Sequence, residues 1–303
     1  MRGFITDRSA PRGLRLADNL PEPEPAPDEL VIGVRAAGVN RGELALLGQR
    51  DQDWRPGQDV AGTVHRAAAD GSGPPEGAPV IAIVDGAGWS QRVAVPTQRA
   101  AALPPDVSFT DAAALPIAGL TALRGLRRGG SVLARRVLVT AASGAVGQFA
   151  TQLARAAGAE VIALVSRPES ALEARDAGAH DAVTSLDGAS RFHLVLDGAG
   201  GPVLKAALAH LAPTGLAVTY GGMAGAADFG LGNFLGHTLV GLVHSDPENE
   251  RGADLAVLAG LVADGRLRPR IGRTENWEKL REVLDDLAGG RFRGKAVLTL
   301  AQS

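Results

Sequence analysis

The chain is predicted to be an α/β protein, with a compact β-barrel-like domain followed by a doubly wound parallel sheet. Three observations predict this. The first 105 residues break into short apolar strands separated by glycine- and proline-rich turns. From about Asp111 the rhythm changes to strands alternating with helices of ten or so residues. Within that second region, residues 136–157 read as strand, glycine turn and helix in immediate succession.

The early strands are expected at 30–35, 59–65, 79–84 and 91–95. Their separators include the proline–glutamate alternation at 21–27 and the stretch Gly71-Ser-Gly-Pro-Pro-Glu-Gly. Proline fixes φ and removes a donor, so the alternation reads as an extended, solvated connection.

The second region opens with a helix over 111–128, interrupted by Pro116 and Gly119, and a strand at 136–140. Helix 145–157 is stopped by Gly158, strand 160–165 follows, and helix 169–177 is stopped by Gly178. A short strand near 182–184, a strand at 192–196, a helix at 202–211 and a strand at 215–220 complete the alternation. The tail has helices near 252–264 and 276–288 and a last strand at 295–300. No repeat of fixed period and no low-complexity tract interrupts this order.

The turn at 142–147 carries the chemistry. Its fingerprint is G-x-G-x-x-G with Ala142 in the first position, then Ser143, Gly144, Ala145, Val146 and Gly147. Gly144 lets backbone approach a pyrophosphate, and Gly147 lets the helix pack close to the strand. The unpaired N–H groups and positive dipole end of helix 145–157 face the phosphates. An NAD site places an acid at the end of the next strand, about twenty residues on, to hold the ribose 2′-hydroxyl. Here that strand ends in Ser166 and Arg167, with Ser170 one turn further, and Glu169 lies beyond Pro168. A hydroxyl and a planar guanidinium suit a 2′-phosphate, so NADP(H) is the expected cofactor. Gly221 and Gly222 follow a strand of the same domain and permit close backbone approach to the nicotinamide.

Composition narrows the rest. At 303 residues, about two domains are expected. A formal charge of −2 with scattered Lys and Arg recommends neither nucleic acid nor an anionic membrane surface. The N-terminus lacks the apolar core of a signal peptide, and the apolar stretch 231–243 is too short and glycine-rich to span a bilayer, so a cytoplasmic protein is expected. Cysteine is absent, which removes disulfides, thiolate nucleophiles and thiolate metal sites together. His65, His180, His193, His210, His237 and His244 show no ligand spacing, so no metal site is expected.

Several ordered motifs together resemble the medium-chain dehydrogenase/reductase superfamily, in its zinc-independent quinone oxidoreductase and enoyl reductase branch. They are Val39-Asn-Arg-Gly-Glu43, Pro56-Gly-Gln-Asp-Val-Ala-Gly62, Leu115-Pro-Ile-Ala-Gly-Leu-Thr-Ala122, the glycine turn, Leu196-Asp-Gly-Ala-Gly-Gly201, Tyr220-Gly-Gly222 and Arg293-Gly-Lys-Ala-Val297. The resemblance implies a GroES-like substrate domain over 1–110, completed by 266–303, and a Rossmann nucleotide domain over 111–265. It also implies that Asn40 lies near nicotinamide and substrate and that Thr121 lies beside the cofactor. Zinc-using relatives place cysteine or histidine near positions matching 40–43 and 57–59, and this sequence has neither there.

The activity this implies is NADPH-dependent hydride transfer to an activated C=C bond (enone or enal) or a quinone, with Asn40 holding the developing oxyanion. Many relatives carry a tyrosine in the segment matching 47–56, and here the single tyrosine is Tyr220. A redox-neutral cyclase or isomerase that retains NADP(H), and a non-catalytic dinucleotide-binding protein, are the alternatives. Arg41 and Glu43 either contact the small electrophilic acceptor or solvate a surface turn, the second being favoured. Trp54 and Trp89 either line an apolar acceptor pocket or pack in the core. Asp197 is read as a turn cap and Lys295 as a solvated lysine. A homodimer is expected through a sheet edge formed by 216–220 and 231–243.

Overall fold

A computed structural model describes residues 1–222, 224–233, 236–242 and 251–301. In chain order the first elements are β1 (Gly3–Thr6), β2 (Leu14–Ala17), β3 (Glu29–Val39), α1 (Arg41–Gln49), β4 (Asp59–Arg66), β5 (Pro79–Ile83), β6 (Arg92–Pro96), β7 (Ala100–Ala102), α2 (Phe109–Ala113) and α3 (Pro116–Arg128). Next come β8 (Arg136–Thr140), α4 (Ala145–Ala156), β9 (Glu160–Leu164), α5 (Ala171–Asp176), β10 (Asp181–Val183), β11 (Phe192–Asp197), α6 (Gly201–Ala209), β12 (Leu211–Thr219) and β13 (Thr238–Gly241). The last are α7 (Arg251–Ala263), β14 (Ile271–Asn276), α8 (Leu280–Ala288) and β15 (Lys295–Thr299).

Backbone packing divides the chain into Met1–Leu120 with Pro247–Ser303, and Thr121–Asp246. The division differs from boundaries at 110 and 265 because α7 packs on β5 and β7 and so belongs with the first unit. Gly252 permits this: a Cβ there would lie 2.5 Å from the Ala100 carbonyl oxygen.

In the first unit, strand order is β14-β15-β3-β4-β5-β7, with β6 also pairing β3. Only β14 and β15 run parallel; the other pairs are antiparallel. Alternating inward residues of these strands meet α8 in one core that includes Phe4, Leu30, Ile32, Trp89, Val283 and Leu298. Register sets up the site. Gly38 of β3 lies opposite Asp59 of β4, and Val39 lies opposite Ala296 of β15. Positions 40, 59 and 295 are thereby brought to one end of three adjacent strands.

The second unit is a six-stranded, all-parallel sheet in the order β10-β9-β8-β11-β12-β13. Numbered within the sheet this is 3-2-1-4-5-6, and strand order reverses between β8 and β11. Ligands of such sheets bind outside the carboxyl ends of the strands at that reversal.

Three expectations are corrected. Residues 41–43 do not form a solvated turn; they begin α1. Segment 216–220 is no sheet edge, because β12 is paired on both sides by β11 and β13; β13 is the outer strand. Of the other proposed edge segment, positions 234, 235 and 243 lie outside the described residues. The helix expected at 276–288 opens one residue later, as a 3-10 turn over Trp277–Lys279 that runs into α8, because Asn276 ends β14 and caps that turn. Among the described residues no helix is long and apolar enough to cross a membrane.

Candidate active site

At the strand ends of the first unit, four polar side chains are buried together: Asn40, Glu43, Asp59 and Lys295. Lys295 is only 1% exposed, so the solvated-lysine reading is overturned. All of β15 from Lys295 to Leu298 is buried, and a lysine in such a strand must be paired. Its Nζ donates to Asp59 Oδ2 at 2.6 Å and to Asn40 Oδ1. Asn40 Nδ2 donates to the same Asp59 Oδ2 at 2.9 Å, and the Ile117 backbone N–H donates to Oδ1 at 2.9 Å. Gly38 makes room for this carboxylate: a Cβ there would lie 2.7 Å from Asp59 Oδ2.

Glu43 is buried as well, which corrects its placement on a solvated turn. Its Oε2 accepts the Asn40 backbone N–H at 2.7 Å, closing the first turn of α1, while Oε1 is buried with no hydrogen-bond partner among the described residues. Burial pushes its carboxyl up to about 8, and the nearby Asp59 charge adds to the shift. Glu43 therefore carries a proton at neutral pH.

Other expected residues of this unit divide. Arg41 is exposed at the start of α1. Trp54 is half-buried, with the Arg50 guanidinium 5.2 Å above its ring. Trp89 has no exposed surface and its Nε1 donates to the Gly38 carbonyl at 3.1 Å, so it is core and not pocket lining.

In the second unit the glycine turn joins β8 to α4. Gly144 is exposed, while Gly147 is buried against the turn: a Cβ there would lie 2.5 Å from Ala141 O and 2.6 Å from Ala142 Cα. The first intrahelical bond in this turn runs from Gln148 N to Gly144 O, leaving the N–H groups of Ala145, Val146 and Gly147 without intrahelical acceptors. Ser143, Ala145 and Val146 are half-buried around them. This cradle fits a pyrophosphate.

Beyond β9, Ser166 and Arg167 are both exposed. The Arg167 guanidinium has no hydrogen-bond or ion-pair partner among the described residues. Ser170 is buried, with 2% of its surface exposed, one turn beyond the exposed pair. Thr121 is buried in α3.

At the strand-order reversal Asp197 is fully buried and acts as a brace. It accepts Thr140 Oγ1 at 2.6 Å, Thr219 Oγ1 at 2.9 Å and Gly200 N at 3.0 Å, tying the ends of β8, β11 and β12 to the 198–200 loop. Gly221 belongs to the same construction, since a Cβ there would lie 2.1 Å from the Gly198 carbonyl oxygen. Its glycine is required by that packing, whereas Gly222 is exposed and faces open space. The Tyr220 hydroxyl is buried with no partner among the described residues, and burial raises its phenol above the ordinary value.

Sequence reasoning missed Lys295, Asp59 and Glu43 as one group. The available signal was a charged residue heading each of two apolar strands, at 59 and 295. What joins them is strand register, which no local pattern prints.

Residues 171–298 match a protein family described as zinc-binding dehydrogenase. The chain is 34% identical over 317 residues to the spectinabilin polyketide synthase system protein NorB of Streptomyces orinoci, an alignment covering 97% of this chain and 14% of NorB. It is 34% identical over 157 residues to the chloroplastic quinone-oxidoreductase homolog of Spinacia oleracea, covering 46% of this chain and 48% of that protein. The chain thus spans a small part of the first relative and about half of the second. Among solved structures, mycobacterial Rv1454c complexed with NADPH superposes with a TM-score of 0.88 at 26% identity, over 99% of this chain and 100% of that one.

The zinc in the family description does not fit the donors here. There is no cysteine, and among the described residues no group of three or more His, Asp or Glu is placed to hold a metal ion. The Asp59 carboxylate is already taken by the Lys295 ammonium.

Proposed function

Because the chain belongs to the medium-chain dehydrogenase/reductase superfamily, we propose that it is an NADPH-dependent oxidoreductase that reduces an activated C=C bond or a quinone without a metal. The observation that carries this reading is the coincidence, on one sheet, of an open α4 N-terminus at 144–147 and the exposed Arg167 guanidinium just beyond β9, which has no partner among the described residues. Together they offer two separated anion sites, one for a pyrophosphate and one for a 2′-phosphate.

Bound NADPH would supply the hydride. The chain's part is to bind, orient and hold charge. Backbone N–H groups of 145–147 hold the pyrophosphate, Ser166 and Arg167 hold the 2′-phosphate, and Gly222, with Thr121, borders the nicotinamide. Asn40 donates its remaining amide N–H to the oxygen on which negative charge develops. The amide itself does not titrate. The long alignment with a polyketide synthase protein favours an unsaturated acyl acceptor; the quinone-oxidoreductase homolog favours a quinone.

The test is loss of reduced-nicotinamide absorbance against enones, enals, unsaturated acyl thioesters and quinones, with product mass recorded. Turnover with gain of two hydrogens supports the reading. No turnover overturns it, and conversion at unchanged mass assigns the redox-neutral alternative instead. The same reading pairs two copies along the outer strand β13, and a pure monomer in sedimentation would remove that part.

A further inference from the structure

The Asn40 amide is held in one orientation by chemistry alone. An ammonium has only donors and an ionised carboxylate only acceptors. Between Lys295 Nζ and Asp59 Oδ2, the amide oxygen must face the lysine and the nitrogen the aspartate. The swapped amide would set N–H against ammonium and C=O against carboxylate. The usual ambiguity of an asparagine flip is therefore absent here.

Hydrogen-bond accounting then leaves little over. Asn40 Oδ1 is committed to Lys295, and one Nδ2–H is committed to Asp59. Asp59 Oδ2 accepts both Lys295 and Asn40, and its Oδ1 accepts Ile117 N. The amide keeps one uncommitted N–H. The Lys295 charge on its oxygen draws electron density from the nitrogen, which makes that N–H a stronger donor.

We propose that Lys295 is a positioning residue for the reduction: with Asp59, it locks the Asn40 amide so that a single Nδ2–H, polarised through the carbonyl, is presented to the substrate oxygen. This rests on the reading of Asn40 as the oxyanion donor. Lys295 itself, sealed beneath the surface, acts only through Asn40.

A double-mutant cycle between Lys295→Met and Asn40→Ala decides it, with NADPH and the best acceptor. Asn40→Ala alone is expected to lower kcat by about a hundredfold, the usual cost of one oxyanion donor. Lys295→Met is expected to lower kcat at least about tenfold in the native background and to add nothing in the Asn40→Ala background. NADPH affinity should stay within about twofold throughout. Because Lys295→Met leaves Asp59 buried without its counter-charge, Asp59→Asn/Lys295→Met serves as the charge-neutral partner; it should fold and share the kcat loss.

Additive losses would overturn the positioning role while leaving Asn40 as donor. An undiminished Asn40→Ala enzyme would overturn the reading of Asn40 instead. A second readout is independent of turnover. In protein labelled with 15N-asparagine, the Asn40 side-chain N–H held by Asp59, identified by its loss in Asn40→Ala, should be protected from exchange. Lys295→Met should weaken that protection, because Asp59 still holds the nitrogen from one side, and the neutral double variant should abolish it. If both variants keep native protection, the lock is not made by Lys295 and the inference fails, whatever the enzyme turns over.

Discussion

Glu43→Gln should make the protein more stable, and by an amount that depends on pH. Glu43 is held protonated to about 8 by burial, against an ordinary 4.5. A folded-state pKa raised in this way gives stability that is complete below the unfolded value and lost as pH rises through the folded one. Below pH 4.5 both states hold the proton and nothing is lost. Between 4.5 and 8 the unfolded chain releases it and the native protein does not, at a cost of about 1.4 kcal/mol per pH unit. The full loss reaches about 5 kcal/mol, an upper bound because a buried carboxyl relaxes and attracts water. Glutamine keeps the acceptor that receives the Asn40 N–H and does not titrate.

The advantage of Glu43→Gln over the native chain should grow by roughly 3 kcal/mol between pH 5.5 and 7.5. Urea unfolding followed by tryptophan fluorescence measures this in the correct unit, since Trp54, Trp89 and Trp277 all lie in the segments Met1–Leu120 and Pro247–Ser303. Other shifted carboxylates, Asp7, Glu22, Asp70, Asp181 and Glu275, are displaced downward and act at lower pH, so they do not obscure the window. Parallel pH profiles for the two proteins, or a variant that loses ground as pH rises, would refute the reasoning.

Three further outcomes are expected. Arg167→Ala should weaken NADPH binding by about 1.5–3 kcal/mol and leave NADH nearly untouched, read by nucleotide fluorescence titration; equal losses would remove Arg167 from the 2′-phosphate site. Gly147→Ala drives a Cβ to 2.5 Å from Ala141 O and should cost about 1–3 kcal/mol with loss of nucleotide affinity, whereas Gly144→Ala, whose nearest contact is 3.2 Å, should leave the fold intact in a thermal melt. Asp197→Asn replaces one acceptor oxygen by a donor facing Thr140, Thr219 or the 198–200 amides and should cost about 2 kcal/mol or more, seen as faster hydrogen exchange in β8 and β11; unchanged protection there would mean that the strand ends hold without the brace.

The nucleotide half of the protein was legible because its determinants are local. A β-branched strand, a glycine turn and an amphipathic helix lie within about twenty residues, and the alternation that follows leaves one sensible topology. Arg167 could be proposed for the 2′-phosphate in the same way, since its position stands at a fixed distance along the motif, and the structure leaves it exposed. Ser170 could not be separated from Ser166 in this way, because burial depends on the turn that intervenes. The other half depends on contacts across long separations. Lys295 reaches Asn40 across 255 positions and Asp59 across 236. Read alone, a lysine near the C-terminus after Arg-Gly is a surface residue. Only when β15 is placed beside β3 does it become an internal cation. Glu43 was misread for a related reason: Arg-Gly-Glu after an asparagine looks like an exposed turn, and a helix of nine residues with two glycines gives little periodic signal.

The buried cluster is an expensive arrangement for stability. An internal ion pair recovers its desolvation only in part, and well-packed apolar residues of equal volume usually do as well or better. Here two carboxyl groups are buried near one ammonium that, among the described residues, pairs only with Asp59, and Glu43 is kept there by holding its proton above neutral pH. Nothing in the packing of the first unit demands this, since its core is otherwise continuous apolar side chains from β3, β4, β15 and α8. What the cluster does provide is a fixed asparagine. A carboxylate alone would orient the amide nitrogen, and an ammonium alone would orient the oxygen; both together exclude the flipped state. The loss of stability is therefore concentrated where one amide is given one direction. The same logic separates Glu43 from Asp59: the first closes the helix turn that carries Asn40 and tolerates glutamine, whereas the second must remain charged for the orientation to hold.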